Sequence, residues 1–257
     1  MKRRLLSLPP AAEAAQRENP EAPGGHRRTR PWTLWRLLPM LLLVCAALVI
    51  SAGAEYDGRP TTPQQGENGV YQIGTAAELY GFAQLVNGGN TNANAVLTAD
   101  ITINENVLNE DGSLNDTNVD SFQKWTPIGN WTQYTGTFDG AGHTISGLYC
   151  DISNDDGTVC AGLFGVVGND GKVKNVTVED SSLSASTTGD SAYAGGVCGD
   201  NNGGTISNCT STGNVTATSG SYAYAGGVCG RNSADSGTAS ISNCTSTGNV
   251  TATSGSY

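Results

Sequence analysis

Residues Ala192 to Tyr222 read AYAGGVCGDNNGGTISNCTSTGNVTATSGSY, and Ala223 to Tyr257 copy them as AYAGGVCGRNSADSGTASISNCTSTGNVTATSGSY. The seventeen residues ISNCTSTGNVTATSGSY recur unchanged. A looser copy starts at Gly162, where GLFG aligns with the GVCG of Gly196 to Gly199, and KNVTV around Asn175 aligns with the later SNCTS segments. Gly162, Gly196 and Gly227 are 34 and 31 residues apart, and Asn175, Asn208 and Asn243 are 33 and 35 apart. A fixed period of this size marks a stacked array, with length variation absorbed in loops.

Each unit holds two or three short runs of β-branched or small residues between Gly, Asn, Asp and Ser, with no amphipathic stretch long enough for a helix. The expected fold is therefore all-β: a parallel β-solenoid whose coils pair with those above and below and whose inward side chains stack into ladders. The alignment names the inward positions. Leu163, Val197 and Val228 match, as do Phe164, Cys198 and Cys229, and Val176, Cys209 and Cys244. Leu, Ile, Val and Phe make up only about 17% of residues 55–257, a fraction also found in disordered chains. Their phasing argues against disorder, because thin cores of small ladders suffice in a solenoid.

Charge divides the chain. Residues 1–54 hold eight Lys/Arg against three Asp/Glu, a net +5, while residues 55–257 hold five against twenty, a net −15. An acidic body without a basic stripe excludes nucleic acid as the expected partner, since phosphate contacts need Lys and Arg. The basic N-terminal part leads into the apolar run Leu37 to Ile50, interrupted by Pro39 and followed by Ala52-Gly53-Ala54, an A-x-A pattern. We read 1–54 as an export signal with a long basic n-region, cleaved after Ala54. The alternative is an uncleaved signal anchor, in which case this segment alone touches the membrane. Cys45 follows Val44 rather than a small residue, which argues against a lipoprotein cysteine. Both readings carry the acidic body out of the cytoplasm, to a secreted or cell-surface location.

Residues 55–69 are rich in Pro, Gln and Gly and read as a linker; 70–148 read as an N-terminal cap and first coils; 149–257 read as the repeats. Thr75-Ala76-Ala77-Glu78 matches a capping box, with Leu79, Phe82, Ala83 and Val86 following at helical spacing and Asn87-Gly88-Gly89 ending the run. A helix here caps the first coil and shields its ladder. Ala95 to Ile103 alternates as a strand, and Asn104 to Lys124 reads as a polar excursion. Tyr134 to Leu148 reads as two strands about an Asp139-Gly140 turn. The chain stops at Tyr257 on a repeat boundary, which leads us to expect a truncated gene product or a fragment of a longer array.

The helix at Thr75 to Asn87, the W-x-P-I-G segment at Trp125 to Gly129, FDGAGHTISGL at Phe138 to Leu148 and Gly162-Leu163-Phe164-Gly165 occur in an order that resembles the GLUG-motif surface proteins of bacteria. Gly196-Val197-Cys198-Gly199 and Gly227-Val228-Cys229-Gly230 are variants of the motif with Val in place of Leu. The resemblance implies a right-handed parallel β-helix at the cell surface, as in adhesin-like proteins and beside the catalytic domain of immunoglobulin A peptidases. It implies no catalytic residue within the motif.

The residues themselves offer little chemistry. A zinc peptidase needs a ligand pair such as H-E-x-x-H, and the chain has only His26 and His143. The acids Asp139, Asp151, Asp155, Asp156, Asp170, Glu179 and Asp180 sit mostly beside Gly or Asn, as turn residues do. None has the spacing of a calcium loop. No catalytic, metal or cofactor residue is therefore assigned. Six cysteines fall in the exported part, where disulfides persist; Cys150 and Cys160, flanking one turn-rich loop, are the candidate pair, and the other four read as buried rungs. The Asn-x-Ser/Thr sites at Asn115, Asn130, Asn175, Asn208, Asn214, Asn243 and Asn249 follow from composition, and Asn208 and Asn243 suit an asparagine ladder. The functional expectation is an adhesin-like binding or spacer module, not an enzyme, meeting an extended partner such as a host glycan or matrix protein. The alternative is the non-catalytic arm of a surface peptidase, or a β-helix enzyme acting on polysaccharide.

Overall fold

A computed structural model describes residues 56–235 and 237–255; the proposed export signal, including Leu37 to Ile50, lies outside them. Among the described residues no helix is long and apolar enough to cross a membrane. The chain winds as a parallel β-solenoid. One coil consists of the strands Lys172–Lys174, Thr177–Glu179, Ser182–Thr187, Ser191–Gly195 and Cys198–Asn202. The next repeats them as Thr205–Ser207, Thr210–Ser211, Asn214–Ser219, Tyr222–Gly226 and Cys229–Ser233. The preceding coil supplies Thr137–Asp139, Thr144–Ser146, Tyr149–Asn154, Val159–Ala161 and Phe164–Val167. Equivalent strands pair in parallel and in register, as in Ser182↔Asn214 and Ser182↔Tyr149.

This register follows from the pattern of the sequence. Strands Ser182–Thr187 and Asn214–Ser219 alternate, with Leu183, Ala185, Val215 and Ala217 buried and the intervening Ser and Thr half-exposed. A slip of one residue would turn every apolar side chain to solvent. At the corner before each second strand, Asn175, Asn208 and Asn243 take positive φ of 56°, 53° and 52°, a conformation that Asn tolerates better than branched residues do. Their stacked amides bond along the axis: Asn208 Nδ2 donates to Asn175 Oδ1 at 3.1 Å, and Asn175 Nδ2 donates to Asp139 Oδ1 at 2.9 Å.

Helix α1, Ala76–Asn87, starts at the expected N-cap Thr75, with Glu78 reaching back one residue beyond it. Thr75 Oγ1 accepts from the Glu78 amide at 3.2 Å, and Glu78 Oε2 accepts from the Gly74 amide at 2.9 Å. At the other end the Gly88 amide closes on the Gln84 carbonyl at 2.8 Å. Leu79, Phe82, Ala83 and Val86 are all buried against the first coils, where Phe82 meets Tyr134 and Phe138 at ring-centroid distances of 6.3 and 6.1 Å. The Asn87 side chain ties the helix to the next segment, accepting from the Gly129 amide at 2.8 Å and donating to the Pro127 carbonyl at 3.0 Å.

Three local expectations are revised. The presumed linker is fastened down: Tyr56 is buried and stacks on Tyr80 at 4.4 Å, the Thr61 amide bonds the Ala77 carbonyl, and Gln64–Gln65 pairs antiparallel with Tyr71–Ile73. A single aromatic anchor outweighs the local Pro and Gln composition. Ala95 to Ile103 is two strands in different sheets, Ala95–Leu97 and Ile101–Thr102, because the chain turns a corner at Thr98 to Asp100. Thr137–Asp139 and Thr144–Ser146 likewise belong to separate sheets, so Asp139-Gly140 opens a solenoid corner rather than a hairpin. His143 sits in that corner, one residue before the second strand. The excursion 104–124 folds back along the coils: Asp180 accepts from the Val107 and Leu108 amides at 3.2 and 2.9 Å, and Asn214 Nδ2 donates to the Gly112 carbonyl.

Candidate functional site

The three motif segments stack on one another. Phe164, Cys198 and Cys229 occupy one register position, and the Phe164 and Val197 amides donate to the Val197 and Val228 carbonyls. The sequence reading missed a fourth member. Trp125 to Gly129 lies beneath Gly162 to Gly165: Ile128 bridges Phe164, and Trp125 Nε1 donates to the Gly162 carbonyl at 3.1 Å. The shared spacing of Ile128-Gly129 and Phe164-Gly165 was its signal. The motif glycine is required by contact: a Cβ on Gly196 would fall 1.9 Å from Ser211 Oγ, and one on Gly227 2.0 Å from Ser246 Oγ. Gly162 and Gly230 are also tight against backbone, where a Cβ would fall 2.6 Å from the Phe164 carbonyl oxygen and 2.7 Å from the Ala194 nitrogen, whereas Gly165 and Gly199 have somewhat more room, at 2.9 and 3.0 Å. Leu163, Phe164, Val197 and Cys198 are fully buried, while Val228 and Cys229 are partly so. The motif is thus a packing corner, with no polar side chain of its own to offer a ligand.

The structure does not bring Cys150 and Cys160 together; both are free thiols. Cys150 points into the main core, whereas Cys160 belongs to a separate cluster with Val166 and Tyr193. Their strands, Tyr149–Asn154 and Val159–Ala161, belong to different sheets, which proximity in sequence could not reveal. Burial pushes both thiols up to about 12. Cys198 and Cys209 are also buried free thiols, stacked against Cys229 and Cys244 respectively, and burial again raises them, Cys209 to about 12. Thiols held so far above neutral are poor nucleophiles and poor metal ligands.

Most of the acids serve turns and corners. Burial tends to raise the Asp139 carboxyl, but Lys174 at 2.8 Å, the Asn175 amide group and the Ala141 amide hold it below the usual carboxylate range. Asp180 anchors the excursion, as described. His143 Nδ1 lies 3.0 Å from Asp100 Oδ1, which also accepts from the Thr144 amide at 2.9 Å; that backbone bond first, then His143, lowers the Asp100 carboxyl. Among the described residues no three His, Cys, Asp or Glu side chains gather closely enough to hold a metal ion.

What distinguishes one coil from the next lies along a single edge. The copies at 192–222 and 223–257 agree everywhere except at 200–205, DNNGGT, against 231–240, RNSADSGTAS. In register, Asp200 stacks on Arg231, with Arg231 Nε 3.7 Å from Asp200 Oδ1. Arg231 also donates to the Tyr193 hydroxyl at 3.0 Å and lies 5.2 Å above its ring, which meets the Tyr224 ring at 5.3 Å. Asp200 is buried and its Oδ1 has no hydrogen bond; burial raises its carboxyl against the attraction of Arg231. Beside this pair the turns knit together: Asn202 and Asp235 exchange two hydrogen bonds at 2.9 and 3.1 Å, and Asn201 Nδ2 donates to Asn232 Oδ1 at 2.7 Å. Just beyond lies an open groove of about 400 Å³, formed by Asn169, Asp170 and Lys172 of one coil, Gly203 and Thr205 of the next, and Gly237 and Thr238 of the last.

Residues 190–216 and 221–251 both match the GLUG motif. The chain carries GLUG repeats. The matched segments cover the second and third motif corners, and Gly162 to Gly165 stacks on them in the same register. The chain is 33% identical over 186 residues to halomucin of Haloquadratum walsbyi (strain DSM 16790 / HBSQ001), a match that covers 66% of this chain and 2% of halomucin. A crystal structure of a Bacteroides ovatus protein, provisionally described as an immunoglobulin A1 protease, matches with a TM-score of 0.46 and 20% identity, covering 74% of this chain and 60% of that one. The chain therefore spans only a small part of the length of halomucin.

Proposed function

We propose that this chain is an exported, cell-surface GLUG solenoid that acts as an adhesin-like binding or spacer module without turnover. The observation that supports this best is the in-register repetition of a hydroxyl- and amide-rich outer face, in which Ser184↔Thr216↔Thr251 and Ser186↔Thr218↔Thr253 form parallel rows. A partner with its own repeat can meet such rows many times over, so weak contacts sum to useful avidity. The basic N-terminal region and apolar run read from the sequence, and the likeness to part of halomucin, support placement outside the cytoplasm. Protease shaving of intact cells expressing the chain tests the location: loss of an epitope inserted in the 155–157 turn, with cytoplasmic controls intact, is expected. An epitope protected until lysis contradicts a surface location. Adherence of the same cells to host glycan and matrix surfaces separates binding from spacing.

A further inference from the structure

We propose that the groove crossing the variable turns is a binding site for an uncharged, extended polysaccharide strand lying along the solenoid axis. The inference rests on the binding reading above and locates it. Two independent observations meet here. Sequence variation between two otherwise identical coils is confined to 200–205 and 231–240, and the groove opens on that edge. In solenoids the turns that vary between repeats cluster on one face, which is commonly where a ligand is bound.

The groove's size and lining choose the ligand. Its volume, about 400 Å³, falls in the range of small-ligand sites. It crosses three coils, roughly 10 Å at the spacing of adjacent strands, room for about two sugar rings, and an extended hexose chain advances by nearly one ring per coil. Gly203 and Gly237, both at positive φ, form part of the lining and let a ring approach the backbone. Asn169, Asp170, Lys172, Thr205 and Thr238 supply both donors and acceptors, the mixture that hydroxyl groups require.

Charge excludes the nearest competitor. Asp170 and Lys172 offset each other, and the surrounding body carries −15, which repels a polyanion. An extended peptide would need an open sheet edge for backbone pairing. Lys172–Lys174 and Thr205–Ser207 offer none, because each is paired on both sides; among the described residues the free edge of this sheet on that side is Ser240–Ser242, beyond the coils that supply Lys172 and Thr205. Lys172 is exposed and makes no ion pair among the described residues, whereas Lys174 on the same strand is held by Asp139.

The test uses the full 257-residue chain in detergent. Cellohexaose, xylohexaose, mannohexaose and chitohexaose are titrated calorimetrically, with oligogalacturonate as the anionic comparator. At least one neutral oligosaccharide is expected to bind with little salt dependence. Lys172→Ala combined with Thr205→Ala should weaken it by about tenfold or more, as expected when hydrogen bonds to a ligand are removed. Lys172→Gln alone should give a smaller loss without disturbing the turn. Glu110→Ala, exposed on the excursion, should bind as the parent does, Thr216→Ala with Thr218→Ala reports whether the hydroxyl rows hold the ligand instead, and all variants should melt alike. Parent-like binding by the groove variants, or loss only in the Thr216/Thr218 variant, overturns the groove while leaving the binding module intact. Salt-sensitive binding to oligogalacturonate alone overturns the uncharged ligand. No binding by the parent to any of the five overturns the groove, and adherence of the expressing cells to matrix surfaces then decides whether the binding role stands.

Discussion

The first coils and the last share one backbone register but fill it differently. Beneath α1 the rungs are aromatic: Tyr134 and Phe138 both meet Phe82 of the helix and both meet Phe164, with Tyr134–Phe164 at 5.1 Å and Phe138–Phe164 at 5.3 Å. Farther along, the same rows shrink. Phe138 is followed by Val173, Ile206 and Ile241, and Phe164 by Cys198 and Cys229. Large side chains are needed where a helix meets the coil end, because a helix and a flat strand layer leave gaps that small rungs cannot fill. Between coils the spacing is fixed by backbone hydrogen bonds, so small rungs pack completely. Strand pairing and corner residues therefore set the fold, while rung size adapts to what covers each coil.

The largest break in this comparison should come from the cap. Phe82→Asp or Leu79→Asp places an unpaired charge in the aromatic cluster and should cost about 4 kcal/mol or more, seen in urea denaturation followed by circular dichroism, with aggregation as the exposed first coil becomes available. Next, the two ends of one row can be set against each other. Phe164→Ala should cost about 3–5 kcal/mol, whereas Cys198→Ala should cost about 1 kcal/mol because it removes a single small atom. Equal costs would mean that rung size carries no information about cover. Changing Cys198, Cys209, Cys229 and Cys244 together to Val should preserve fold and melting in reducing and oxidising buffer, and quantitative disulfides in the parent by mass spectrometry would contradict the free-thiol rungs.

A subtler effect is expected at the corner. Gly196→Ala forces Ser211 and the Gly227 carbonyl to yield and should cost about 1–3 kcal/mol. The smallest effect concerns pH. The folded Asp200 carboxyl is raised above its ordinary 3.8, so the native state binds this proton more readily than the unfolded chain. Its protonation should stabilise the fold as pH falls toward the ordinary carboxylate value, and that gain is lost as pH rises through the folded value. Asp100 and Asp139 are lowered and act in the opposite sense, their stabilisation being lost only under more acidic conditions. Asp200→Asn should abolish the early rise; a rise that persists in the variant would assign it to another group.

Much of this was legible because repeats report on themselves. The equivalence of Leu163, Val197 and Val228 identified inward positions without coordinates, and the capping box marked α1 to the residue. The failures share one cause. Asp139-Gly140 and Thr98 to Asp100 are corners, and local turn chemistry does not say whether a chain doubles back or proceeds to another sheet. Cys150 and Cys160 stay apart for the same reason, since the chain turns into another sheet between them and their side chains join different clusters. The variable edge was visible as DNNGGT against RNSADSGTAS, but only the stacking of coils showed that Asp200 meets Arg231 and that the turns surround a groove.

The common register of both regions is the central claim, and one distance tests it. Gln72 and Ser242 lie in the same seven-stranded sheet, joined by the register steps Gln72↔Val96, Val96↔Asp139, Asp139↔Lys174, Lys174↔Ser207 and Ser207↔Ser242. Five strand spacings amount to about 24 Å, across 170 residues of sequence. Spin labels carried by noncanonical residues at these two exposed positions, which leave the native thiols untouched, should give a narrow pulsed electron paramagnetic resonance distribution centred near that distance. A broad distribution, or a narrow one displaced by more than the reach of the labels, would contradict a single continuous solenoid.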